Sequence, residues 1–323
     1  MKLAAGAAVF GVLAPQGQAL GGVLDGLLGK PARLRPAMTP NDGFYVTSYR
    51  SPADVRVESW TLLISGLVSR PLTMTYQDLL ARPLVKQIVT LECVGNGLAA
   101  DSIGTAEWGG VLLKTLLDEV GMKDGGVDVV FRAADGYSDS LLLSRALQGD
   151  VLVAYQMNGV PLPRGHGFPA RIIVPGIYGI KHVQWLTEIE VVSEDYRGYY
   201  QRQGWSDHAE IKTSSHIDLP GHGESIKGPN YVIQGYAFAG TRGIAQVEIS
   251  TDGGARWHEA RLRPQLSPYA WRFWEYPWSI PAPGRYALQV RAIDGAGRLQ
   301  SLLEQEAFPD GASGIHEVTV EVT

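Results

Sequence analysis

A change in hydrophobic periodicity near residues 210–222 constrains the fold of this sequence more than any other feature. Before it, short strand-like runs are mixed with segments of helical spacing, without strict strand–helix alternation. After it, apolar residues recur at every second position and no convincing helix intervenes. The 323 residues also exceed the usual length of one domain. We therefore expect an α+β domain followed by an all-β sandwich.

Four segments of the first part carry clear local signals. They are two strand-like runs, residues 60–66 and 85–92, and two helical runs, residues 75–80 and 111–120. Thr75 is placed to cap the first helix, and Gly121 to end the second. The second strand ends directly at Cys93. A glycine-rich nucleotide loop is missing from the sequence, which disfavours a dinucleotide-binding fold.

Four runs of the second part alternate with period two and predict strands. These runs are residues 231–238, 245–250, 286–293 and 317–322. The aromatic stretch 271–278 lies among them and could form a platform for a sugar or a base. On a strand of a sandwich such a stretch is more often part of the core or an interface, and we expect that arrangement here.

The amino terminus predicts export. Residues 1–14 form an apolar run that suits the core of an export signal but is too short to span a bilayer. Its charged start consists of Met1 and Lys2 alone, and neither a twin arginine nor a clean cleavage site is present. We therefore expect a truncated export signal of a periplasmic or membrane-associated protein. A packed amino-terminal helix is the alternative. Residues 15–43 predict a linker, so residues 1–43 would precede the folded domains.

Charge and cysteine content exclude several functions. The net charge of −5, with scattered lysines and arginines, gives no basic footprint for nucleic acid, so we expect no nucleic-acid partner. A single cysteine excludes an intramolecular disulfide, a CxxCH haem site, a cysteine-ligated iron–sulfur cluster and a multi-cysteine zinc site. A redox centre in this chain must therefore need at most one sulfur ligand from the protein.

Cys93 itself lies where a strand opens into a glycine-bearing turn, residues 91–97. Glycines let the backbone approach a bulky ligand, and a thiolate is a soft donor that suits a transition metal. The alternative is that Cys93 is a small, inert core residue, which is the commoner fate of a lone cysteine.

A second cluster, residues 163–186, sets His166, Arg171 and Lys181 around the short strand 172–174. Cationic side chains in loops at the end of a buried strand are well placed to hold a phosphate. Alternatively, His166 is a satisfied loop residue and Arg171 donates to a surface ion pair. Asp135 is expected to stabilise its own turn, with a functional role as the alternative.

In their order along the chain, these motifs resemble the sulfite oxidase family of molybdopterin enzymes. The matching segments are residues 92–96, 105–111, 155–163, 166–171 and 178–186. The resemblance implies a molybdopterin-binding domain over residues 44–215. Residues 216–323 would form an immunoglobulin-like dimerisation domain, through which the protein could form a homodimer.

The resemblance also implies one molybdenum held on the dithiolene of a single pterin, with the Cys93 thiolate as the ligand from the protein. Cofactor contacts fall on Tyr45, Val46, Thr47, Asp135, His166, Arg171, Lys181, His182 and Val183. Among these, His166 and Arg171 match positions that hold the pterin and its phosphate. Lys181 and the backbone after it match the stretch that wraps the phosphate end.

Three positions depart from the sulfite oxidases within this family. Thr47 and Gly97 stand where those enzymes have arginines, and Trp205 aligns with their active-site tyrosine. Losing cations and a phenol weakens the hold of a pocket on a small dianion such as sulfite. We therefore expect two-electron, oxygen-atom-transfer chemistry on another small molecule, with Trp205 in the substrate pocket and electrons exchanged with a separate cytochrome or membrane-bound carrier subunit.

Three other functions stay open. Within the family, the chain could be a reductase of sulfoxides, such as methionine sulfoxide. It could instead be a cysteine hydrolase in which His166 activates Cys93 and Asp135 orients the histidine. The third alternative is a non-catalytic binding module built on the sandwich, in which Cys93 is inert.

Overall fold

The computed structural model describes residues 33–323, so the predicted export signal and most of the predicted linker lie outside the described residues. Within residues 33–323, none of the helices has the length and apolar character needed to cross a bilayer. The described chain is mostly sheet, and its α-helices are Tyr76–Leu80, Leu113–Val120 and Leu143–Ala146. Short 3-10 turns occur at Arg164–His166, Gly179–Lys181, Gln201–Gln203 and Gly240–Arg242.

Two sheets build the first part of the described chain. Its strands are β1 (Thr61–Gly66), β2 (Leu72–Thr75), β3 (Val85–Glu92), β4 (Ile103–Leu112), β5 (Asp128–Ala133), β6 (Ser138–Leu142), β7 (Leu152–Met157), β8 (Val160–Pro161), β9 (Arg171–Ile173) and β10 (Leu186–Val192). One sheet has the order β2-β1-β10-β5-β6, in which β1 runs parallel to β10. The other has the order β3-β4-β7-β8, with β9 beside β7.

Both predicted helices of the first part are present. The Thr75 hydroxyl accepts the backbone N–H of Asp78 at 3.2 Å, and the Asp78 carboxylate accepts the N–H of Thr75 at 2.9 Å, which forms a capping box. The second helix begins at Leu113, two residues later than predicted, because β4 continues through Leu112. It buries Leu113, Leu116, Leu117 and Val120 on one face.

Strand β4 is the main element that local pattern did not predict. It lies between β3 and β7, and most of its residues are buried. Gly110 shows how closely it packs, since a Cβ there would lie 2.2 Å from the Val153 carbonyl oxygen. A strand buried on both faces loses the period-two alternation by which strands are recognised in a sequence.

Two further sheets build the second part, and the predicted alternating strands are all present. Its strands are β11 (Ser214–Leu219), β12 (Ser225–Ile226), β13 (Asn230–Phe238), β14 (Ile244–Ser250), β15 (His258–Glu259), β16 (Arg261–Leu262), β17 (Arg272–Ser279), β18 (Gly284–Asp294) and β19 (His316–Val322). The sheet orders are β11-β13-β17-β16 and β12-β19-β18-β14-β15. Ile233 and Trp274 of one sheet share a core with Val247 and Leu288 of the other.

Side chains of the aromatic stretch pack in the core, as the sequence predicted. Trp274 and Trp278 are buried in the core between the two sheets of the second part. Trp271 belongs to the core of the first part, and its backbone N–H donates to the Thr90 hydroxyl of β3 at 2.8 Å. The Ser267 hydroxyl donates to the Ile88 carbonyl at 2.5 Å. Hydrogen bonds from the second part therefore hold β3, the strand that leads to Cys93, in place.

Candidate functional site

Cys93 is the first residue after β3, and backbone hydrogen bonds hold it on both sides. Its N–H donates to the Ser102 carbonyl at 2.9 Å, and its carbonyl accepts the N–H of Asn96 at 2.9 Å. The residue is half-buried. Burial raises the pKa of the thiol, while hydrogen bonds to the sulfur from the Gly95 N–H and the Thr47 hydroxyl oppose that rise.

Glu92 and Asn96 fix the turn that carries Cys93. The Asn96 amide donates to Glu92 Oε1 at 3.0 Å and accepts the Ser102 N–H at 2.9 Å. Both side chains are buried, and within residues 33–323 Glu92 Oε2 has no hydrogen-bond partner. Burial raises the pKa of Glu92 to about 7, with the Asn96 hydrogen bond opposing the rise. Sequence reasoning did not single out Glu92, although it directly precedes the cysteine.

A cluster of tyrosines lies beside the thiol, and motif reasoning missed it. The rings of Tyr49 and Tyr199 are 4.3 Å apart between centroids, those of Tyr199 and Tyr200 are 5.0 Å apart, and those of Tyr137 and Tyr200 are 5.8 Å apart. Burial, Tyr199 and then Cys93 raise the pKa of Tyr200. A signal was present in the sequence, because the segments at residues 45–49 and 199–200 each hold two tyrosines.

The segment before Thr47 connects the thiol to the predicted histidine. The ring of Phe44 stacks on Tyr45 at 5.3 Å and meets His166 edge-on at 5.7 Å. Burial, followed by the charge of Cys93, raises the pKa of Tyr45 well above its usual value, whereas Arg171 lowers it. Tyr45 therefore interacts with both the thiol and the guanidinium.

Arg171 is a buried cation held by carbonyl groups. Its guanidinium donates to the His166 carbonyl at 3.0 Å and the His182 carbonyl at 3.3 Å, and it lies 5.1 Å from the centroid of the Trp108 ring. Its Nε is buried and has no hydrogen-bond partner among the described residues. Burial lowers the pKa of Arg171 to about 10. The alternative of a surface ion pair is therefore wrong.

Lys181 lies in a different setting from Arg171. Its buried ammonium donates to Asp139 at 2.9 Å, to the Ser140 carbonyl at 3.0 Å and to Asp207 at 2.8 Å. Two carboxylates thus already neutralise it. The structure shows Lys181 holding its loop, and the predicted contact with a phosphate stays a prediction.

The loop around Lys181 forms a buried polar wall. His182 donates from Nε2 to the Ile177 carbonyl at 3.1 Å. Its Nδ1 and the Oε1 of Gln184 are buried and find no hydrogen-bond partner in the described part of the chain. Burial lowers the pKa of His182 to about 3, so the ring is neutral. Val183 is buried, and its carbonyl accepts the N–H of Ile172 at 2.9 Å.

Gly179 in the same loop lies against the cysteine turn. A Cβ there would lie 3.1 Å from the Tyr45 hydroxyl, 3.3 Å from the Glu92 carbonyl oxygen and 3.8 Å from the Cys93 Cα. The glycine therefore brings the buried polar wall close to the residue that carries the thiol.

The remaining predicted residues lie at the edges of this region. Asp135 accepts the Tyr137 N–H at 2.9 Å, as expected of a turn aspartate. Val46 is exposed and packs near Gly165. Trp205 is half-buried and meets Phe308 of the second part edge-on, at 5.2 Å between ring centroids. The predicted cofactor contacts of Val46 and Asp135 stay predictions.

The geometry does not assemble the hydrolase alternative. His166 Nε2 donates to the Asn41 carbonyl at 3.0 Å, and burial lowers the pKa of its ring. Asp135 is engaged in its own turn, beside Tyr137. A backbone carbonyl therefore orients the histidine, and Asp135 does not take the orienting role that the hydrolase alternative gives it.

We expect Lys181→Met to reduce the free energy of unfolding of the cofactor-free protein by about 3–5 kcal/mol. The change leaves the carboxylates of Asp139 and Asp207 without their cation, and Asp139 is fully buried. Urea denaturation measures the effect. Lys114→Met is the matched control, since the Lys114–Asp118 pair is exposed and its loss should cost less than about 1 kcal/mol. Equal losses in the two variants would contradict a structural role for Lys181.

Family models match both parts of the chain. Residues 49–200 match the oxidoreductase molybdopterin binding domain, and residues 207–305 match the Mo-co oxidoreductase dimerisation domain. These two matches cover the cysteine turn, the buried polar wall and most of the β-sandwich.

Curated relatives and a solved structure agree with these models. The chain is 32% identical to mitochondrial sulfite oxidase of Rattus norvegicus over 81% of this chain, but the match spans only 57% of the rat protein. It is 31% identical to sulfite oxidase of Arabidopsis thaliana over 84% of each protein. The crystal structure of sulfane dehydrogenase SoxCD from Paracoccus pantotrophus is similar with a TM-score of 0.79 and 25% identity, over 90% of this chain and 82% of that one.

Proposed function

Since the chain belongs to the sulfite oxidase family of molybdopterin-dependent oxidoreductases, we propose that it catalyses a two-electron, oxygen-atom-transfer reaction with Cys93 as the metal ligand from the protein. Residues 49–200 form its molybdopterin-binding domain. Molybdenum on the pterin supplies the redox and oxygen-transfer chemistry when it is bound. The identities of its substrate and of its electron carrier, given below, are part of what we propose.

The observation that carries the proposal is a half-buried thiol that is linked through Tyr45 to a buried arginine, which has no carboxylate partner among residues 33–323. Burying a guanidinium is costly unless an anion compensates its charge. Arg171 donates to two carbonyls, and no described residue pairs with its Nε, so the site retains capacity for an anionic group. The chemistry of these donors therefore fits molybdenum with a thiolate ligand at Cys93 and a phosphate-bearing pterin near Arg171.

Neighbouring residues would orient the cofactor. The Gly95 N–H and the Thr47 hydroxyl donate to the Cys93 sulfur, which favours the thiolate that a metal needs. Gly179 leaves room where a Cβ would crowd Tyr45. His182 Nδ1 and Gln184 Oε1 offer unused polar atoms on the same wall.

The surroundings of the thiol favour a substrate with less negative charge than sulfite. Thr47, a neutral hydroxyl, donates to the sulfur at the position where sulfite oxidases would carry an arginine. The charged neighbour that shifts the pKa of Cys93 is Glu92, an acid. The tyrosine rings of residues 49, 199 and 200 add apolar surface with phenolic donors. We infer a neutral sulfur compound as substrate, and a sulfoxide reductase is the second candidate.

Further parts of the proposal concern the assembly of the protein. The dimerisation-domain match and the two packed sheets of the second part support an immunoglobulin-like domain that forms a homodimer. A separate cytochrome or membrane-bound subunit would exchange electrons with the site. The apolar run at residues 1–14 supports an exported location, periplasmic or at the membrane.

The test is metal and pterin analysis of protein made in a host that synthesises the cofactor, with an activity panel. We expect about one molybdenum and one pterin per chain, because the chain has a single cysteine to ligate the metal. Turnover with artificial electron carriers should be higher on neutral sulfur compounds, including sulfoxides, than on sulfite or nitrate. Folded protein that contains no molybdenum would contradict the proposed function, and a clear preference for sulfite would contradict the inferred substrate.

A further inference from the structure

A loop between β18 and β19 exposes several large apolar side chains. Leu302, Leu303 and Phe308 expose 55%, 66% and 56% of their surface, respectively. Isolated exposed leucines are ordinary, but several large apolar side chains on one short loop mark an interaction site. We call residues 299–314 the apolar loop.

Hydrogen bonds to buried groups hold the apolar loop in shape. The buried Gln300 amide donates to the Gly314 carbonyl at 2.7 Å, and its oxygen accepts the Ser215 hydroxyl at 2.7 Å. The Ser313 hydroxyl donates to the Leu303 carbonyl at 2.9 Å, and Gln305 pairs with Ser313 through their backbones. The exposed side chains are therefore presented by a preorganised loop, which reduces the entropy cost of binding a partner.

The apolar loop lies against the residues that border the thiol. Phe308 packs on Trp205, and the Ser206 N–H donates to the Pro309 carbonyl at 2.9 Å. Gly314 lies so close to Leu98, in the turn after Cys93, that a Cβ would be 2.8 Å from the leucine Cδ1. A partner bound to the loop would thus sit beside the candidate site.

The charge of the apolar loop selects the kind of partner. Glu304, Glu306 and Asp310 are exposed among the apolar residues, and Asp310 pairs with Lys212 at 2.8 Å. A second copy of the chain docked through the same loop would place two sets of these acids in one interface, and their like charges disfavour it. A cationic partner with an apolar centre meets no such penalty.

We propose that the apolar loop is the docking face for a cationic redox protein whose electron-carrying group lies in an apolar patch ringed by lysines. This inference rests on the proposed function, because it names the partner that would exchange electrons with the site. The leucines and Phe308 would cover the apolar patch, and Glu304 and Glu306 would steer and orient the approach of the partner.

Titration calorimetry of the cofactor-loaded protein with a basic c-type cytochrome tests the proposal. The titrations are done at about 0.01 M and about 0.15 M ionic strength, where the Debye length is about 30 Å and about 8 Å, respectively. Glu304→Gln/Glu306→Gln should weaken binding about tenfold at low ionic strength and flatten the salt dependence. Leu302→Ser/Leu303→Ser should weaken binding about tenfold at both ionic strengths, because apolar contact is not screened.

Glu259→Gln/Glu321→Gln is the matched control, because it removes the same charge from exposed strand positions outside the loop. Binding equal to the wild type in the control supports the proposal, whereas equal weakening in both acid pairs overturns it. Conversion of a dimer to a monomer by the leucine changes, with cytochrome binding unaltered, would also overturn it and assign the loop to a second copy. Substrate-dependent reduction of a small dye tests the proposed function separately, since a dye needs no docking face.

Discussion

Replacing Cys93 with serine should lower substrate turnover by more than about 100-fold, because even changes in residues that merely orient metal ligands cost about 10- to 100-fold. A hydroxyl of ordinary pKa is a poor substitute for a soft thiolate. Cys93 is the single cysteine of the chain, so no other thiol can replace it. Turnover with artificial carriers, divided by the folded protein concentration, measures the effect.

Two controls separate loss of the ligand from loss of the fold. Since the side chain of Cys93 is half-buried, serine should leave the thermal unfolding midpoint of the cofactor-free protein nearly unchanged. Thr47→Val removes a hydrogen bond to the sulfur but keeps the thiol, and it should reduce turnover far less than the serine change does. Wild-type turnover in Cys93→Ser would show that the thiolate is not a metal ligand. Labelling of metal-free, active protein by a thiol-directed inhibitor would favour the hydrolase instead.

Replacing Arg171 with methionine should lower retention of the cofactor by about 10- to 100-fold, the effect of losing a charge-assisted hydrogen bond to an anion. The cofactor-free protein should change in unfolding free energy by less than about 2 kcal/mol, because removal of a buried cation offsets the loss of two hydrogen bonds to carbonyls. Molybdenum content after dialysis and urea denaturation measure the two quantities. Arg171→Lys should retain more cofactor than Arg171→Met but less than the wild type, since lysine keeps the positive charge but lacks the planar guanidinium.

Arg145→Met is the matched control for this change. Arg145 donates to both oxygens of Asp150, at 2.6 and 3.2 Å, so its removal leaves a carboxylate unpaired. We expect Arg145→Met to destabilise the cofactor-free protein more than Arg171→Met does, while the folded fraction still retains molybdenum. The opposite order, with stability lost at Arg171 and cofactor lost at Arg145, would contradict the assignment of Arg171 to the anionic group.

Local patterns along the chain predicted much of the site scaffold. Strand β3 has the predicted bounds and ends at Glu92, directly before Cys93, because β-branched residues and the following glycines report directly on backbone conformation. The capping box at Thr75 was visible for the same reason. Strand β4 was missed because burial on both faces and close packing at Gly110 depend on neighbours distant in sequence.

The sequence by itself determined the family, the two-part organisation and the single sulfur available for a metal, since these depend on residue identity, order and periodicity. Arg171 and Lys181 looked alike as loop cations, and only the tertiary structure distinguished them: Asp139 and Asp207 neutralise Lys181, whereas Arg171 contacts carbonyls. The tyrosines beside Cys93 and the apolar loop beside Trp205 also emerged only in three dimensions. The charge state and accessibility of a side chain depend on groups that folding brings from distant positions, and a local pattern does not contain them.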